Sequence, residues 1–417
     1  MISYVLIRYV DGYDWYKKAN GHGQIYFLSS EQSEYSYNRI LSGYRVAKNR
    51  PGHKFVRTIK TNPDQPDVVI DNNGFIADVP VKRERSIDKI RVFVTGGSTA
   101  LGAGQNDKYD IVKQYPQGVY SYSSSIPGRI RDFLIQSFPD TDFEVINASM
   151  MGNKFHQSFL HYIEQLSRFS PDIIVNIDGQ NDAGSMWRGN PYEELEGELP
   201  KYIELLPLYR EKPLFLRRTY SYQFLYRTYF KGNDIFDFYF TDKHQGDSES
   251  LKEIFNKRGP FREYSIDEYI RHENYFVSGF QPFLQILRQY YATLESDGVK
   301  FVFMLQPMLQ RSINKPLNVT EQNLFTYRMH SAKYDTTKLV ERFFIDRHLS
   351  PLIQAESERS GFGFIDANRE IVDLPEELEF YTDYCHLTPE GNNIVAQLVF
   401  RELELIIRDE NMHLNSQ

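Results

Sequence analysis

Residues 89–104 read KIRVFVTGGSTALGAG, and no other stretch constrains the fold as much. A β-branched, apolar run (Ile90, Val92, Phe93, Val94) stops abruptly at Gly96 and Gly97. Such a short run suits a strand buried in a parallel sheet. The glycines permit a sharp exit from it. Ser98 then stands at the carboxyl end of a strand, where open α/β sheets hold their ligands. A strand followed by glycines and a serine also describes a phosphate-binding turn. The Walker pattern is excluded, because no Gly-Lys-Ser/Thr follows, and G-x-G-x-x-G is absent in this register. Ser98 is therefore read as a candidate nucleophile.

The rest of the chain is consistent with that sheet. Residues 125–137 carry helical spacing at Ile130, Phe133 and Leu134, and residues 143–148 (FEVINA) read as a second strand. Residues 154–169 form an amphipathic helix through Phe159, Ile163 and Leu166, and residues 172–178 (DIIVNID) a third strand. A helix at 281–296, a strand at 299–305, a helical segment at 336–360 and a strand at 362–366 follow, and a helix at 388–408 closes the pattern. Strands alternating with helices predict a doubly wound parallel α/β sandwich.

Two regions fall outside the rhythm. Residues 1–85 are polar and aromatic and read as an N-terminal extension packed on the core, with a short strand expected at Val68–Ile70. Residues 186–280 read as a mostly helical insertion. Within it, positions 209–240 hold 12 aromatics in 32 residues, against 15% for the whole chain, so the stretch differs in kind. Arg217, Arg218, Arg227 and Lys231 are interleaved with its Tyr and Phe. It reads as a lid or sugar- or acyl-binding surface, or equally as a satellite core. The core itself is expected in two parts, 86–185 and 281–417.

Composition narrows the partners. The formal charge is −8 over 417 residues and no basic block stands out, which argues against nucleic acid. With one cysteine, Cys385, no internal disulfide and no cysteine-built metal site is expected. No cofactor or metal is implied. Arg8 and Asp11 interrupt the apolar N-terminal patch, so no signal peptide is read, and no run reaches membrane-spanning length. A cytoplasmic location is the default expectation, an extracytoplasmic one if a leader is missing. Oligomeric state stays open.

Three further stretches follow strand ends or precede the last helix: NASMMGN at 147–153, GQND at 179–182, and DYCHLTPEGN at 383–392. A serine hydroxyl needs a base to take its proton, and His386 can be that base. Asp383 can hold the other ring nitrogen in one tautomer. The backbone N–H groups of Ser98 and Gly152 and the amide of Asn181 can supply oxyanion donors, each worth on the order of 3 kcal/mol of barrier.

With GGSTALG, these blocks resemble the SGNH, or GDSL-like, serine hydrolases. The resemblance implies Ser98 as nucleophile, Gly152 and Asn181 as oxyanion donors, and Asp383 with His386 completing a triad. It also implies a five-stranded parallel sheet in the order 2-1-3-4-5. Gly97 stands where the family name expects Asp, and Ser149 where Gly is common; neither removes a catalytic group. The stretch DNNGFIADVPVKRERSIDKIRVFVTGGST resembles larger bacterial members linked to surface-polysaccharide or lipid modification. The expected function is an esterase that removes acetyl or another short acyl group from a small-molecule or glycan ester. An O-acyltransferase with the same triad and a catalytically idle glycan- or lipid-binding protein are the alternatives.

Overall fold

The computed structural model describes residues 36–41, 44–49, 58–104, 118–186, 266–331 and 340–414. The aromatic-rich stretch 209–240, and most of the expected insertion, lie outside the described residues. Two strands, β1 (Ser36–Leu41) and β2 (Tyr44–Asn49), pair antiparallel. Then come β3 (Thr58–Ile59), β4 (Lys89–Gly96), α1 (Ser98–Leu101), β5 (Ala103–Gly104), β6 (Gly118–Tyr120), α2 (Ile126–Ser137), β7 (Asp142–Asn147), α3 (Phe155–Glu164), β8 (Ile173–Asp178) and α4 (Gln180–Met186). The chain continues with α5 (Ile266–Ser296), β9 (Lys300–Leu305), α6 (Val319–Ser331), a π-helical segment (Val340–Leu349), α7 (Ser350–Ser360), β10 (Gly363–Asp366), α8 (Ala367–Glu370) and α9 (Pro389–Leu414).

The central sheet has five parallel strands in the order β10-β9-β8-β4-β7. Numbering those five by appearance gives the expected 2-1-3-4-5. The first strand of the set, β4, sits between β7 and β8, with Val92 opposite Val145 on one side and Ile173 on the other. Side chains alternate across it. Phe93 joins Ile174, Phe301 and Phe303 under α3 and α5. Val92 and Val94 join Val145, Val175 and Val302 under α2, α6 and α9. Both faces are therefore covered, as a parallel sheet requires. Fully burying one such aliphatic or aromatic side chain stabilises the fold by about 1.5–3 kcal/mol.

Sequence signals account for the helix starts. Ser125 caps α2, its hydroxyl accepting from the Gly128 amide at 3.5 Å, with Pro127 in the first turn. Thr388 does the same for α9, accepting from the Gly391 amide at 3.0 Å. Ahead of the sheet, Phe75 reaches the core and meets Phe93 edge-to-face, ring centroids 5.3 Å apart.

Three readings need correction. Val68–Ile70 is reduced to a single bridge position at Val69, and Val68 and Ile70 pack against Ile76 and Leu101. The Val68 amide donates to a side chain, Thr58 Oγ1, at 2.8 Å, so the pairing does not extend to it. The helix expected from Gln281 begins at Ile266 and carries Pro282 inside it. A small sheet, β3-β6-β5, was not anticipated, because strands of two or three residues carry no periodicity. No described helix is long and apolar enough to cross a membrane.

Candidate active site

Four loops converge at the carboxyl ends of β4, β7 and β8 and ahead of α9. The turn after β4 comes first. Gly96 has φ +135°, and a Cβ there would run into the Ile177 carbonyl of β8. Only glycine lets the two strands approach so closely at that φ. Gly97 then caps α1, and Ser98 opens it, half-buried.

Ser98 Oγ lies 2.7 Å from His386 Nε2, and His386 Nδ1 lies 2.6 Å from Asp383 Oδ2. The other carboxylate oxygen, Oδ1, accepts the backbone N–H groups of Cys385 at 2.9 Å and His386 at 2.8 Å. Asp383 thus closes its own turn with one oxygen and orients the imidazole with the other. Both side chains are almost fully buried. Burial disfavours the charged form of each, but the pair overrides it. The charge and hydrogen bond of His386 hold the Asp383 carboxyl below the usual carboxylate range. The Asp383 charge holds His386 well above its ordinary value.

The remaining loops frame the same point. After β7, the Met150 amide donates to the Gly96 carbonyl at 3.0 Å, tying this loop to the turn that carries Ser98. Gly152 follows in a left-handed conformation, φ +73°, exposed. After β8, Asn181 Nδ2 donates to the Asn153 carbonyl at 2.7 Å, beside Gly152. A Cβ on Gly97 would come within 2.9 Å of that same Asn181 nitrogen. The amide therefore lies against the Gly97–Ser98 turn, and one of its two N–H groups is spoken for by Asn153.

Several supporting residues were not read from the sequence. Thr99 Oγ1 donates to the Cys385 carbonyl at 3.0 Å and accepts from Gln306 Nε2 at 3.1 Å, joining the Ser98 turn to the His386 loop. Glu321 sits at the base of that loop. Its Oε1 accepts the amides of Phe380 at 2.7 Å and Tyr381 at 3.2 Å, and its Oε2 receives Lys315 Nζ at 2.5 Å. Gln180 and Gln310 both donate to Glu341, at 2.8 and 2.7 Å. Arg328 also reaches Glu341 and stacks over the Tyr384 ring, 4.0 Å from its centroid. Apart from Lys315 and Glu321, six positions apart, these contacts join residues distant in the chain, so local pattern carries no trace of them.

Under the site lie two buried carboxyls. Asp178 Oδ2 accepts from Ser158 at 3.1 Å and Asn176 at 3.0 Å, and burial with the nearby Asp182 charge pushes its carboxyl well above the usual range. Asp182 accepts the Phe155 amide at 3.1 Å, and burial raises it to about 6 despite the opposing Lys154 charge. The folded chain thus keeps the Asp182 proton that the unfolded chain releases near pH 4, a free carboxyl's midpoint being about 3.9. Stability is fully present below that value and is lost as pH rises to about 6. Asp182→Asn keeps a carbonyl for Phe155 and removes the titration. The Tm of the variant minus that of the wild type is expected to grow between pH 4 and 7, as thermal unfolding across buffers would show; a constant difference would contradict it.

No family model and no curated protein matches the sequence. Among solved structures, the chain is similar to an acetylxylan esterase from Geobacillus stearothermophilus, with 12% identity over 75% of this chain and 93% of that one and a TM-score of 0.33. It is also similar to an α/β hydrolase from the metagenome of Lake Arreo, Spain, with 11% identity over 76% of this chain and 96% of that one and a TM-score of 0.34. The chemistry of the site rests on its own geometry. A hydroxyl bonded to an imidazole whose far nitrogen faces a buried carboxylate is an arrangement that can activate a serine.

Proposed function

We propose that the protein is a serine-dependent ester hydrolase that removes acetyl or another short acyl group from a carbohydrate. The observation that carries this reading is the continuous hydrogen-bond chain Ser98–His386–Asp383. In it, His386 Nε2 takes the Ser98 proton as Oγ attacks the ester carbonyl. The same proton passes to the alcohol oxygen as the C–O bond breaks, leaving an acyl group on Ser98. Water then attacks that acyl group, giving one proton to His386, and the carboxylic acid leaves as Ser98 recovers its hydrogen. Asp383 stays ionised and stabilises the imidazolium. The Ser98 and Gly152 N–H groups and Asn181 Nδ2 are assigned to the oxyanion. Support for a carbohydrate alcohol comes from the Tyr-, Phe- and Arg-rich sequence 209–240.

Hydrolysis of p-nitrophenyl acetate, then of a panel of acetylated glycans, tests the reading. Wild-type turnover that disappears in Ser98→Ala is expected. Equal turnover in both proteins would remove Ser98 as the nucleophile. Adding a free sugar acceptor separates hydrolysis from acyl transfer to the sugar.

A further inference from the structure

The sequence led to no expectation of a metal site, because the chain has a single cysteine. The fold places that cysteine inside the His386 turn. Cys385 Sγ lies 3.8 Å from His386 Nδ1, and Asp383 Oδ2 lies 2.6 Å from the same nitrogen. One ligand atom from each of Asp383, Cys385 and His386 falls within a 4.8 Å cluster, and all three residues are buried. We propose that these three side chains form an inhibitory binding site for a zinc-like divalent cation, occupied in competition with catalysis.

The donor set selects the metal. A thiolate, an imidazole and a carboxylate oxygen suit Zn²⁺, whereas Mg²⁺ and Ca²⁺ prefer all-oxygen shells. With Zn–N near ~2.0 Å and Zn–S near ~2.3 Å, a tetrahedral site separates N from S by about 3.5 Å. The observed 3.8 Å is close to that. The tighter Nδ1–Oδ2 pair must open from 2.6 Å to about 3.3 Å by the same bond lengths. Oδ1 can keep its two backbone amides while Oδ2 swings, because the two oxygens have separate partners. Water can fill the fourth position.

Binding to the neutral imidazole releases one proton to solvent, from the Cys385 thiol, while the hydrogen displaced from His386 Nδ1 is replaced, through solvent, by one on Nε2. The imidazole stays neutral and carries its one hydrogen on Nε2, the nitrogen facing Ser98 Oγ. In that state Nε2 can donate to the hydroxyl and cannot accept its proton. The metal thus locks the tautomer opposite to the one Asp383 maintains. This consequence rests on the esterase reading; the coordination itself does not.

Cobalt(II) added to the full-length protein, with exclusion of oxygen, reads the site directly. A thiolate-to-cobalt charge-transfer band is expected in the wild type and in Ser98→Ala, and none in Cys385→Ala. With one cysteine in the chain, the band has no other source. In parallel, Zn²⁺ is expected to inhibit ester hydrolysis reversibly, with a chelator restoring it. Cys385→Ala, compared with its own metal-free rate, is expected to need at least tenfold more Zn²⁺ for the same fractional inhibition. No band in the wild type, a band without inhibition, or equal Zn²⁺ sensitivity in the two proteins would overturn the proposal. If neither protein turns over an ester, the esterase reading alone fails, and the cobalt band still decides whether the site exists.

Discussion

Asp383→Asn is expected to lower kcat on a short acyl ester by about 10⁴-fold while leaving the fold intact. Oδ1 of Asp383 makes local bonds to two backbone amides, and an asparagine carbonyl can keep them. Oδ2 accepts from His386 Nδ1, and the amide nitrogen that would replace it can only donate. The imidazole then places its hydrogen on Nε2, toward Ser98, and stops being a base. The pH profile carries a second signature. The base must be neutral, and the Asp383 charge holds His386 well above 6.5 against the opposing effect of burial. The wild-type kcat/KM is therefore expected to rise with pH through a midpoint above that ordinary value. In Asp383→Asn the residual activity should show its acid limb at lower pH. Steady-state kinetics from pH 5 to 9 reads both effects; an unshifted limb with full turnover would contradict the role given to Asp383.

Glu321→Ala is expected to cost about 3–5 kcal/mol of stability, the range for removing one partner of a buried ion pair. Lys315 and Glu321 both have fully buried side chains, 2.5 Å apart. Removing the carboxylate leaves an ammonium without a counter-charge and two amides, of Phe380 and Tyr381, without acceptors. Those amides lie directly before Asp383, so the His386 loop should loosen first. Activity is expected to fall at temperatures where most of the protein is still folded. Glu321→Gln retains an acceptor for the amides but not the charge and should fall between the two. Chemical denaturation with activity measured in the same samples checks this; a loss below 1 kcal/mol would show that the pair does not hold the loop.

The parts of this fold that could be read from the sequence are the parts written locally. The runs around Val92, Val145, Val175 and Val302 are short and apolar and lie between turn residues, so each of these strands appears within a residue or so of its expected place. Asp383 and His386 are three residues apart, and their contact is made within one turn. Ser98, by contrast, meets His386 across 288 positions. That pairing was expected only because chemistry requires a base for the serine and family resemblance supplied the partner. Nothing comparable marks Thr99, Gln306 or Glu321. Each is an ordinary polar residue whose role exists only once the ends of β4 and β9, the helix α6 and the loop before α9 are brought together. Asn318, by contrast, acts locally: its Oδ1 accepts the Glu321 amide at 2.9 Å, just ahead of the first turn of α6.

If Ser98 carries the acyl group, a covalent probe of serine nucleophiles should find it. The wild type, Ser98→Ala and His386→Ala would each be incubated with a fluorophosphonate, digested and mapped by mass spectrometry. A single adduct on Ser98 is expected in the wild type, none in Ser98→Ala, and strongly slowed labelling in His386→Ala. Labelling at another serine with Ser98 unmodified, or equal labelling rates with and without His386, would contradict that role for Ser98.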